Sequence, residues 1–346
     1  MLTNLLTLWA VTLVFYGLIG ACVVGAFWAV GGKTLAWLLS WVIRYILKTA
    51  RILASFPLAA VYTQSRYIIF WFLFVYILLA VFLLQRKKQP VQLFCCGVLG
   101  LCVALMLSWV EPAQDDFRLT VLDVGQGQCI LADVEGRHFL IDCGGDTDAG
   151  TADLAAQTLL SRGITQLDGV LLTHYDRDHS GGLGNLLTRV DTKLLFLPAT
   201  VSEYEIPQTG GEVIWVSEEL ELALGTAYIR IFPPVFSGYS NENSLCILFH
   251  TENCDILVTG DRGSFGERML LRKFQLPQVD VRIAGHHGAA DASSEELLRA
   301  VRPTAVIISV GENRYGHPAP DTLKRFEEFG CAVFRTDRQG TILFRR

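Results

Sequence analysis

The amino-acid sequence predicts a two-part protein, in which membrane-spanning helices precede an α/β domain of the α+β type whose sheets are covered by helices. Three observations predict this architecture. Charge is distributed unevenly along the chain, the first part contains three long apolar runs, and in the second part strand-like segments come first and then mix with helical ones. We place the boundary between a membrane region, residues 1–110, and the α/β domain, residues 111–346.

The charge asymmetry is large. Eight of the 29 basic residues lie in residues 1–110, whereas all 34 acidic residues lie beyond position 110. The first part therefore carries +8 and the second −13, which together give the −5 of the whole chain. Such asymmetry favours one part at a membrane and the other in water.

The apolar runs comprise residues 5–30, 67–84 and 91–110, and we interpret them as membrane spans. A signal peptide is the alternative for the first run, but its apolar core is long for a secretory signal and further runs follow. Residues 34–50 repeat apolar positions at helical spacing, which predicts an amphipathic helix on the membrane surface or packed on other spans. A solvated connector is the alternative.

The orientation in the membrane follows from the basic residues. Arg86, Lys87 and Lys88 favour a cytoplasmic loop between the last two spans, which would place the acidic domain on the outer or periplasmic face. Residues 31–66 carry basic residues that would then also face outward. The tendency of basic residues to lie on the cytoplasmic side therefore gives conflicting orientations for the two segments. We retain the outer face and a multi-pass protein of the cell inner membrane as the prediction.

The second part alternates between the two- and 3.6-residue periods of strands and helices. A helix is predicted over residues 151–162, opened by Thr151, and three more follow in the second half of the domain. The predicted strands are residues 119–124, 128–133, 138–142, 167–173, 213–216, 227–232, 244–250, 254–259, 279–284, 305–310, 332–335 and 341–344, and the later helices are residues 264–274, 293–301 and 320–329.

The chemistry is concentrated after the strand at residues 167–173. His174, Asp176, Asp178 and His179 follow it directly, so four metal-capable side chains occur within six residues. Burying unpaired carboxylates beside a strand is costly without a cation, which makes a solvated face a poor explanation. The spacing predicts a metal site.

Three other strands end in the same way. Asp261 follows one, the pair His286 and His287 follows another, and Asp142 follows a third. A single Asp after a strand is usually a turn residue. The repetition of one arrangement, a strand that ends in a loop with metal-binding side chains, strengthens the prediction.

These residues resemble a known family. The pattern His174-x-Asp176-x-Asp178-His179 resembles the HxHxDH signature of the metallo-β-lactamase superfamily, with Asp at the second position. Together with the segments at residues 122–128, 141–144, 243–245, 259–261 and 286–288, it is similar to the C-terminal domain of ComEC-type DNA-uptake proteins. Residues 1–110 resemble the last spans of that family's membrane channel.

The resemblance implies an αββα sandwich with two divalent metal ions between the sheets. It also implies a metal-dependent phosphodiesterase or nuclease that degrades one strand of incoming DNA during natural transformation. The implied partners are single-stranded DNA, the lipid bilayer and the rest of a competence channel or other uptake proteins. Members of the family are usually longer, with an N-terminal β-barrel domain and a larger channel.

The resemblance also implies ligand roles. His174 and Asp176 would bind one metal, Asp178 and His179 the other, and Asp261 would bridge them. His286 or His287 would complete the set, and on an extended chain the other would meet the phosphate. We therefore take Asp178 and His287 as candidate catalytic residues as well as ligands. Asp at position 176 favours manganese, with zinc as the alternative.

Two assignments stay open, the further superfamily histidine and the role of His317. The superfamily has a further histidine between the signature and Asp261, and the one histidine there, His250, lies within a predicted strand. Asn241 or Asn243 is the alternative for that place. His317 is a third candidate catalytic residue that could reach a substrate phosphate, although a loop histidine held by Pro318 explains it equally well. Asn313 and Arg314 are weaker candidates.

The charge of −13 argues against a simple nuclease, because phosphate affinity normally rests on Lys and Arg. We therefore expect weak DNA binding by the domain alone. One alternative is a phosphodiesterase that acts on a cell-surface phosphoester such as phosphocholine. Another is a non-catalytic membrane subunit that only binds metal.

Overall fold

A computed structural model describes residues 2–54, 56, 65–85, 89–110, 117–200, 204–235 and 241–346. The chain divides into two compact units, Met1–Tyr62 and Thr63–Arg346. The basic loop at residues 86–88 and the predicted start of the α/β domain at residue 111 lie outside the described residues.

The first unit is a helical hairpin of α1 (Leu2–Phe27) and α2 (Ala29–Ala54). The helices approach closely where Gly25 meets Gly32, since a Cβ atom at position 32 would lie 2.5 Å from the Cα atom of Gly25. Small residues at such crossings let helices pack in membranes. The predicted amphipathic segment, residues 34–50, lies within α2.

The second unit begins with α3 (Arg66–Leu84) and α4 (Pro90–Val110). The Trp71 indole N–H donates to the carbonyl oxygen of Gly97 at 2.8 Å and so links the two helices. Three helical segments in the described part of the chain are long and apolar enough to cross a membrane, and they agree with the predicted spans: Thr3–Phe27, Arg66–Leu84 and Pro90–Ser108.

Two seven-stranded sheets form the centre of the remaining part of the second unit. The strands of the first sheet, in spatial order, are β16 (Ile342–Arg345), β1 (Phe117–Val121), β2 (Ile130–Val134), β3 (Arg137–Ile141), β5 (Gly169–Leu171), β7 (Leu194–Pro198) and β8 (Glu212–Val216). Those of the second are β15 (Ala332–Arg335), β14 (Ala305–Ile308), β13 (Val281–Ile283), β12 (Asp255–Val258), β11 (Cys246–His250), β10 (Ala227–Phe232) and β9 (Leu220–Leu224). A short pair, β4 (Gln166–Leu167) and β6 (Asp191–Thr192), lies beside them.

The helices of the domain are short. They are α5 (Asp148–Ser161), α6 (Arg177–Ser180), α7 (Leu183–Leu187), α8 (Ser264–Lys273), α9 (Glu295–Val301), α10 (Pro320–Glu328) and α11 (Thr336–Gln339). Thr147, not Thr151, caps α5, because its side chain accepts the N–H of Gly150. The helix therefore begins three residues before the predicted start.

The apolar side chains form layers. The inner faces of the two sheets share one core, in which the rings of Phe117 and Phe249 lie 6.1 Å apart. A second core lies between the first sheet and α5 and α7, and includes Ala155, Leu186 and Leu195. Two further cores lie between the second sheet and α8, α9 and α10. The predicted αββα sandwich is confirmed.

The parallel strands position the site. In the first sheet β3, β5, β7 and β8 are parallel neighbours, and in the second β12, β13, β14 and β15 are. The carboxyl ends of parallel neighbours meet at one edge of a sheet, where ligand loops collect. The four loops singled out from the sequence follow β3, β5, β12 and β13.

Candidate metal centre

The signature segment, residues 174–179, is held in place by backbone contacts on both sides. Asp176 lies at the N-terminal cap of α6, and its carbonyl oxygen accepts the N–H of His179 at 2.9 Å. The carbonyl oxygen of Asp178 accepts the N–H of Gln128, so the turn before β2 fixes the same segment. The approach at Gly144 is close, because a Cβ atom there would lie 2.2 Å from the His179 nitrogen.

Asp142 contacts the candidate ligand His179 on the side of the ring opposite Nε2. Its carboxylate is fully buried and accepts hydrogen bonds from the Gln128 amide, the Thr173 backbone N–H, the Thr173 hydroxyl and His179 Nδ1, all at 2.7–2.8 Å. A buried carboxylate with this many partners is well satisfied. Asp142 also adopts a φ of +58°, a left-handed conformation that Asp tolerates better than most residues.

Each of three histidines is oriented by its Nδ1 atom. Nδ1 of His179 is 2.7 Å from Asp142, Nδ1 of His174 is 3.0 Å from the Thr173 hydroxyl, and Nδ1 of His287 is 2.9 Å from the carbonyl oxygen of Ser309. When Nδ1 donates its proton to such an acceptor, Nε2 is left with a lone pair for a metal. All three Nε2 atoms point towards Asp261.

The first group of donors surrounds one side of Asp261. His179 Nε2 lies 3.1 Å from Asp261 Oδ1 and 3.3 Å from His287 Nε2, and His287 Nε2 lies 3.4 Å from Asp178 Oδ2. One donor atom from each of these four residues lies within 4.8 Å of the others. We call this set, Asp178, His179, Asp261 and His287, the inner group.

A second group shares the same carboxylate. His174 Nε2 lies 3.9 Å from Asp261 Oδ2 and 3.8 Å from Asp176 Oδ2, and His286 Nε2 lies 3.8 Å from Asp261 Oδ2. His174 Nε2 is buried and has no hydrogen-bond partner among the described residues. A buried lone pair aimed at carboxylates fits a bound cation. We call this set, His174, Asp176, Asp261 and His286, the outer group.

The electrostatics of the centre favour a positive charge between the carboxylates. Without a metal, burial by itself would raise the pKa of Asp178, but its contact with His287 Nε2 and the charge of protonated His179 lower it to about 2. Burial also opposes ionisation of Asp261, yet His179 and His287 hold its pKa well below 3.8. Burial lowers the pKa of His174 to about 4, helped by the charge of His179, so its imidazole is neutral at pH 7.

The two adjacent histidines differ from the expectation. An extended backbone was predicted to send their side chains to opposite sides, but His286 and His287 have φ values of +51° and +52°. Left-handed conformation at two consecutive non-glycine residues is uncommon and marks functional sites. It turns both rings towards Asp261, so that His287 joins the inner group and His286 the outer group.

A cavity of about 750 Å³ opens onto the centre. Asp176, Asp178, Asp261, His286 and His287 line its floor, and the loop after β14 lines its wall. The wall includes the three candidates of that loop, Asn313, Arg314 and His317. Nδ1 of His317 is buried and unpartnered within the described ranges, and its ring centre lies 5.5 Å from that of His286.

The position of the further superfamily histidine is not taken by His250. Its Nδ1 atom lies 2.5 Å from Asp255 Oδ1, and its ring stacks on Tyr228 in the body of the second sheet. Asn241 lines the cavity instead, and Asn243 is buried beside it in a short 3-10 helix.

Four residues orient the candidate ligands but were not predicted to do so: Gln128, Asp142, Thr173 and Ser309. Asp142 was noted as a residue that follows a strand, but not as the partner of His179. The signal for Thr173 and Ser309 was their place at or next to a strand end, which is too common to single them out.

The family described as "Metallo-beta-lactamase superfamily" matches residues 122–312, more than half of the chain. The chain belongs to this superfamily. The match includes both groups of donors and ends before Asn313, Arg314 and His317 of the cavity wall. The metallo-β-lactamase fold protein YhfI from Bacillus subtilis is a similar solved structure, with a TM-score of 0.46 and 13% identity over 66% of this chain and 100% of that one.

Two curated proteins are similar in sequence to most of this chain. "ComE operon protein 3" of Bacillus subtilis is 29% identical over 302 residues, which cover 79% of this chain and 39% of that protein. "Competence protein ComA" of Neisseria gonorrhoeae is 28% identical over 234 residues, which cover 67% and 32%. The chain is a homologue of competence proteins, as its motifs predict, and spans about a third to two fifths of the length of these relatives.

Proposed function

We propose that the domain is a metal-dependent phosphodiesterase that cleaves single-stranded DNA as part of DNA uptake. The observation that carries the proposal is the convergence of His and Asp donor atoms on Asp261 at the floor of an open cavity. The similarity to a protein named for competence supports the choice of DNA over other phosphodiesters.

The residues present fit two divalent metal ions. Asp178, His179 and His287 would hold one, His174, Asp176 and His286 would hold the other, and Asp261 would contribute to both. When bound, such a pair supplies an activated water and neutralises the charge of the phosphate. Three carboxylates in the set favour manganese over zinc.

The protein's own residues prepare the site for this chemistry. Asp142, Thr173 and the Ser309 carbonyl hold the imidazole rings so that Nε2 faces the cavity floor. His317 stands on the wall beside His286, where it can donate a hydrogen bond to a phosphate oxygen. Asp178 is only partly buried, at 37% exposure of its side chain, so it meets both the centre and the substrate.

We also propose a location for the protein. The apolar helices would anchor it in the cell inner membrane, with the hydrolase domain on the outer or periplasmic face. There the other proteins of a competence channel would deliver the strand, which offsets the weak attraction between DNA and an acidic domain. Protease treatment of intact spheroplasts tests this: digestion of the domain is expected, and its protection would place it inside.

The activity is tested with the full chain in detergent, stripped of metal and incubated with a labelled single-stranded oligonucleotide. Manganese is expected to restore cleavage, and Asp178→Asn to abolish it. Asp191→Asn, an exposed Asp on β6 outside the cavity, is the matched control and should cleave normally. Recovery with zinc but not manganese would overturn the metal assignment.

The same preparation separates the alternatives. Turnover of p-nitrophenyl phosphorylcholine without cleavage of DNA would replace the nuclease by a phosphodiesterase of cell-surface esters. Stoichiometric metal binding without turnover of either substrate would make the domain a non-catalytic metal-binding subunit.

A further inference from the structure

The loop between β14 and α10 presents an aromatic side chain at the mouth of the cavity. Tyr315 lines the cavity and is 77% exposed. Isolated exposed apolar residues need no explanation. This residue differs because its ring lies in the wall that leads from solvent to the candidate metal centre.

The loop is held in shape by one side chain. The Asn313 amide donates to the carbonyl oxygens of Gly311 and His317 at 2.9 and 2.8 Å, and its oxygen accepts the N–H groups of Tyr315 and His317 at 3.1 and 3.0 Å. All four of its hydrogen-bonding positions are used. A ring on a pre-formed loop loses little conformational entropy when a ligand packs on it.

Three rings form a row from the centre to the surface. The ring centres of His286 and His317 lie 5.5 Å apart at an interplanar angle of 72°, and those of His317 and Tyr315 lie 5.8 Å apart at 31°. His286 borders Asp261 at one end of the row, and Tyr315 faces solvent at the other. A strand that leaves the cavity along this wall would pass the row.

The charge of the cavity lining indicates which part of a DNA strand the three rings can bind. Carboxylates of Asp146, Asp176, Asp178 and Glu312 line the same cavity, and its basic residue Arg177 is paired with Asp148, which leaves little attraction for a phosphate backbone away from the metals. A nucleobase, in contrast, stacks on an aromatic ring without needing opposite charge, and any base can do so. Arg314, exposed beside Tyr315, is the one basic neighbour within the loop.

We infer that Tyr315 is a nucleobase-stacking residue that holds a single-stranded substrate next to the cleaved phosphate. This rests on the proposed function for the identity of the substrate. The inference concerns affinity and position, so the ring acts on KM and on the geometry of the bound strand and takes no part in bond cleavage.

The test compares Tyr315→Ala, Tyr315→Phe and the control Trp215→Ala, an exposed aromatic on the edge strand β8 away from the cavity. The substrates are a single-stranded oligonucleotide and the same strand with abasic sites flanking the cleaved bond. Loss of one stacked base corresponds to roughly a 5- to 150-fold change in affinity. Tyr315→Ala should raise KM at least about 5-fold on the normal strand and leave KM on the abasic strand unchanged.

Tyr315→Phe and Trp215→Ala should keep the wild-type KM on both strands. Equal effects of Tyr315→Ala on the normal and abasic strands would overturn the inference, because a merely structural role of the loop makes no distinction between them.

A second readout does not depend on cleavage. An oligonucleotide with 2-aminopurine beside the scissile bond should lose fluorescence on mixing with the wild-type chain, before turnover, and keep it with Tyr315→Ala. Absence of cleavage by the wild-type chain would overturn the proposed function alone, since the fluorescence change still decides the stacking. An equal fluorescence change in wild type and Tyr315→Ala would overturn the stacking alone.

Discussion

Asp142 lies behind the candidate ligand His179 rather than among the ligands, and its four hydrogen bonds tie three separate segments together. Partners of this kind fix the tautomer and the direction of a metal-binding imidazole. The metal affinity of the candidate centre is therefore expected to depend partly on a residue that is not itself a candidate ligand.

Asp142→Asn should lower metal affinity by roughly 10- to 100-fold, because the amide cannot accept a hydrogen bond at every position where the carboxylate does. Asn tolerates the left-handed backbone, so the variant is expected to fold. Isothermal titration of the metal-free chain with manganese measures the change. Asp133→Asn is the matched control, because Asp133 pairs with His138 at 2.7 Å far from the site. Equal affinities of Asp142→Asn and wild type would contradict the assignment.

His174 makes the stability of the metal-free protein depend on pH. Its pKa is about 4 in the folded state against an ordinary 6.5, because burial disfavours the charged ring. Between pH 6.5 and 4 the unfolded chain therefore binds a proton that the folded chain does not, and stability falls as pH falls through this window. The contribution of Asp178, with a pKa of about 2, is lost only at lower pH.

Thermal melting of the metal-free chain in detergent should thus show a lower melting temperature at pH 4.5 than at pH 6.5, a range below the one in which the raised pKa of His179 acts in the opposite direction. The drop should be smaller in His174→Gln, which has no ring to protonate. If both proteins lose the same amount, His174 does not carry the effect.

The conformation of His286 and His287 could not be predicted from the residues alone. Their place after a strand pointed to ligands, but their left-handed backbone depends on contacts made elsewhere. The N–H of His286 bonds to the carbonyl oxygen of Gly260, which comes from the neighbouring strand end. Local preference favours an extended segment, and tertiary contacts override it.

At the scale of elements, the ligand loops are held by turns that pack backbone against backbone. Gly144, after β3, lies so close to α6 that a Cβ atom would be 2.1 Å from the carbonyl carbon of Asp178. The close approach of these two loops thus helps to position the candidate ligands that they carry.

Gly144→Ala should push the segment of Asp178 and His179 away, lower stability by roughly 1–3 kcal/mol and weaken metal binding. The melting temperature and a manganese titration measure both effects. Gly210→Ala is the control, because the structure records no atom of the described chain within 4 Å of its added Cβ, and its stability should change by less than about 1 kcal/mol. Wild-type metal affinity in Gly144→Ala would show that the loops can separate without harm.

Most elements were predictable because buried strands are rich in Val, Ile and Phe and end at polar turns. Residues 227–232 and 332–335 match their predicted bounds as β10 and β15. Two strands, β7 and β9, were not predicted and read LLFLP and LELAL. Both lack β-branched residues and are dominated by Leu, which favours helices in isolation. Their strand conformation comes from pairing with neighbours in the sheets.

At the scale of the whole molecule, the distribution of charge would govern binding of the proposed DNA substrate. A net −13 beyond residue 110 repels a polyanion at long range, whereas the membrane part carries +8. Ordinary DNA-binding proteins lose affinity steeply as salt increases, because counterions released by Lys and Arg drive binding. The acidic domain lacks this driving force.

The KM for single-stranded DNA should therefore stay constant or fall as sodium chloride rises from about 20 to about 200 mM, since salt screens the repulsion. Steady-state cleavage by the full chain at fixed manganese measures it, with the salt dependence of a short dinucleotide substrate as the control. A steep rise of KM with salt would mean that a local basic surface dominates binding.

The sharing of Asp261 between the inner and outer groups has a consequence for folding. Asp142 and residues 174–179 belong to the first sheet's loops, while Asp261, His286 and His287 belong to the second's, and about a hundred residues separate the signature from His286. Contacts so distant along the chain form only after the loop between them has closed. The complete set of donors thus exists only once the two sheets have docked. A metal ion added during refolding is therefore expected to find the complete set of donors only in the docked sandwich.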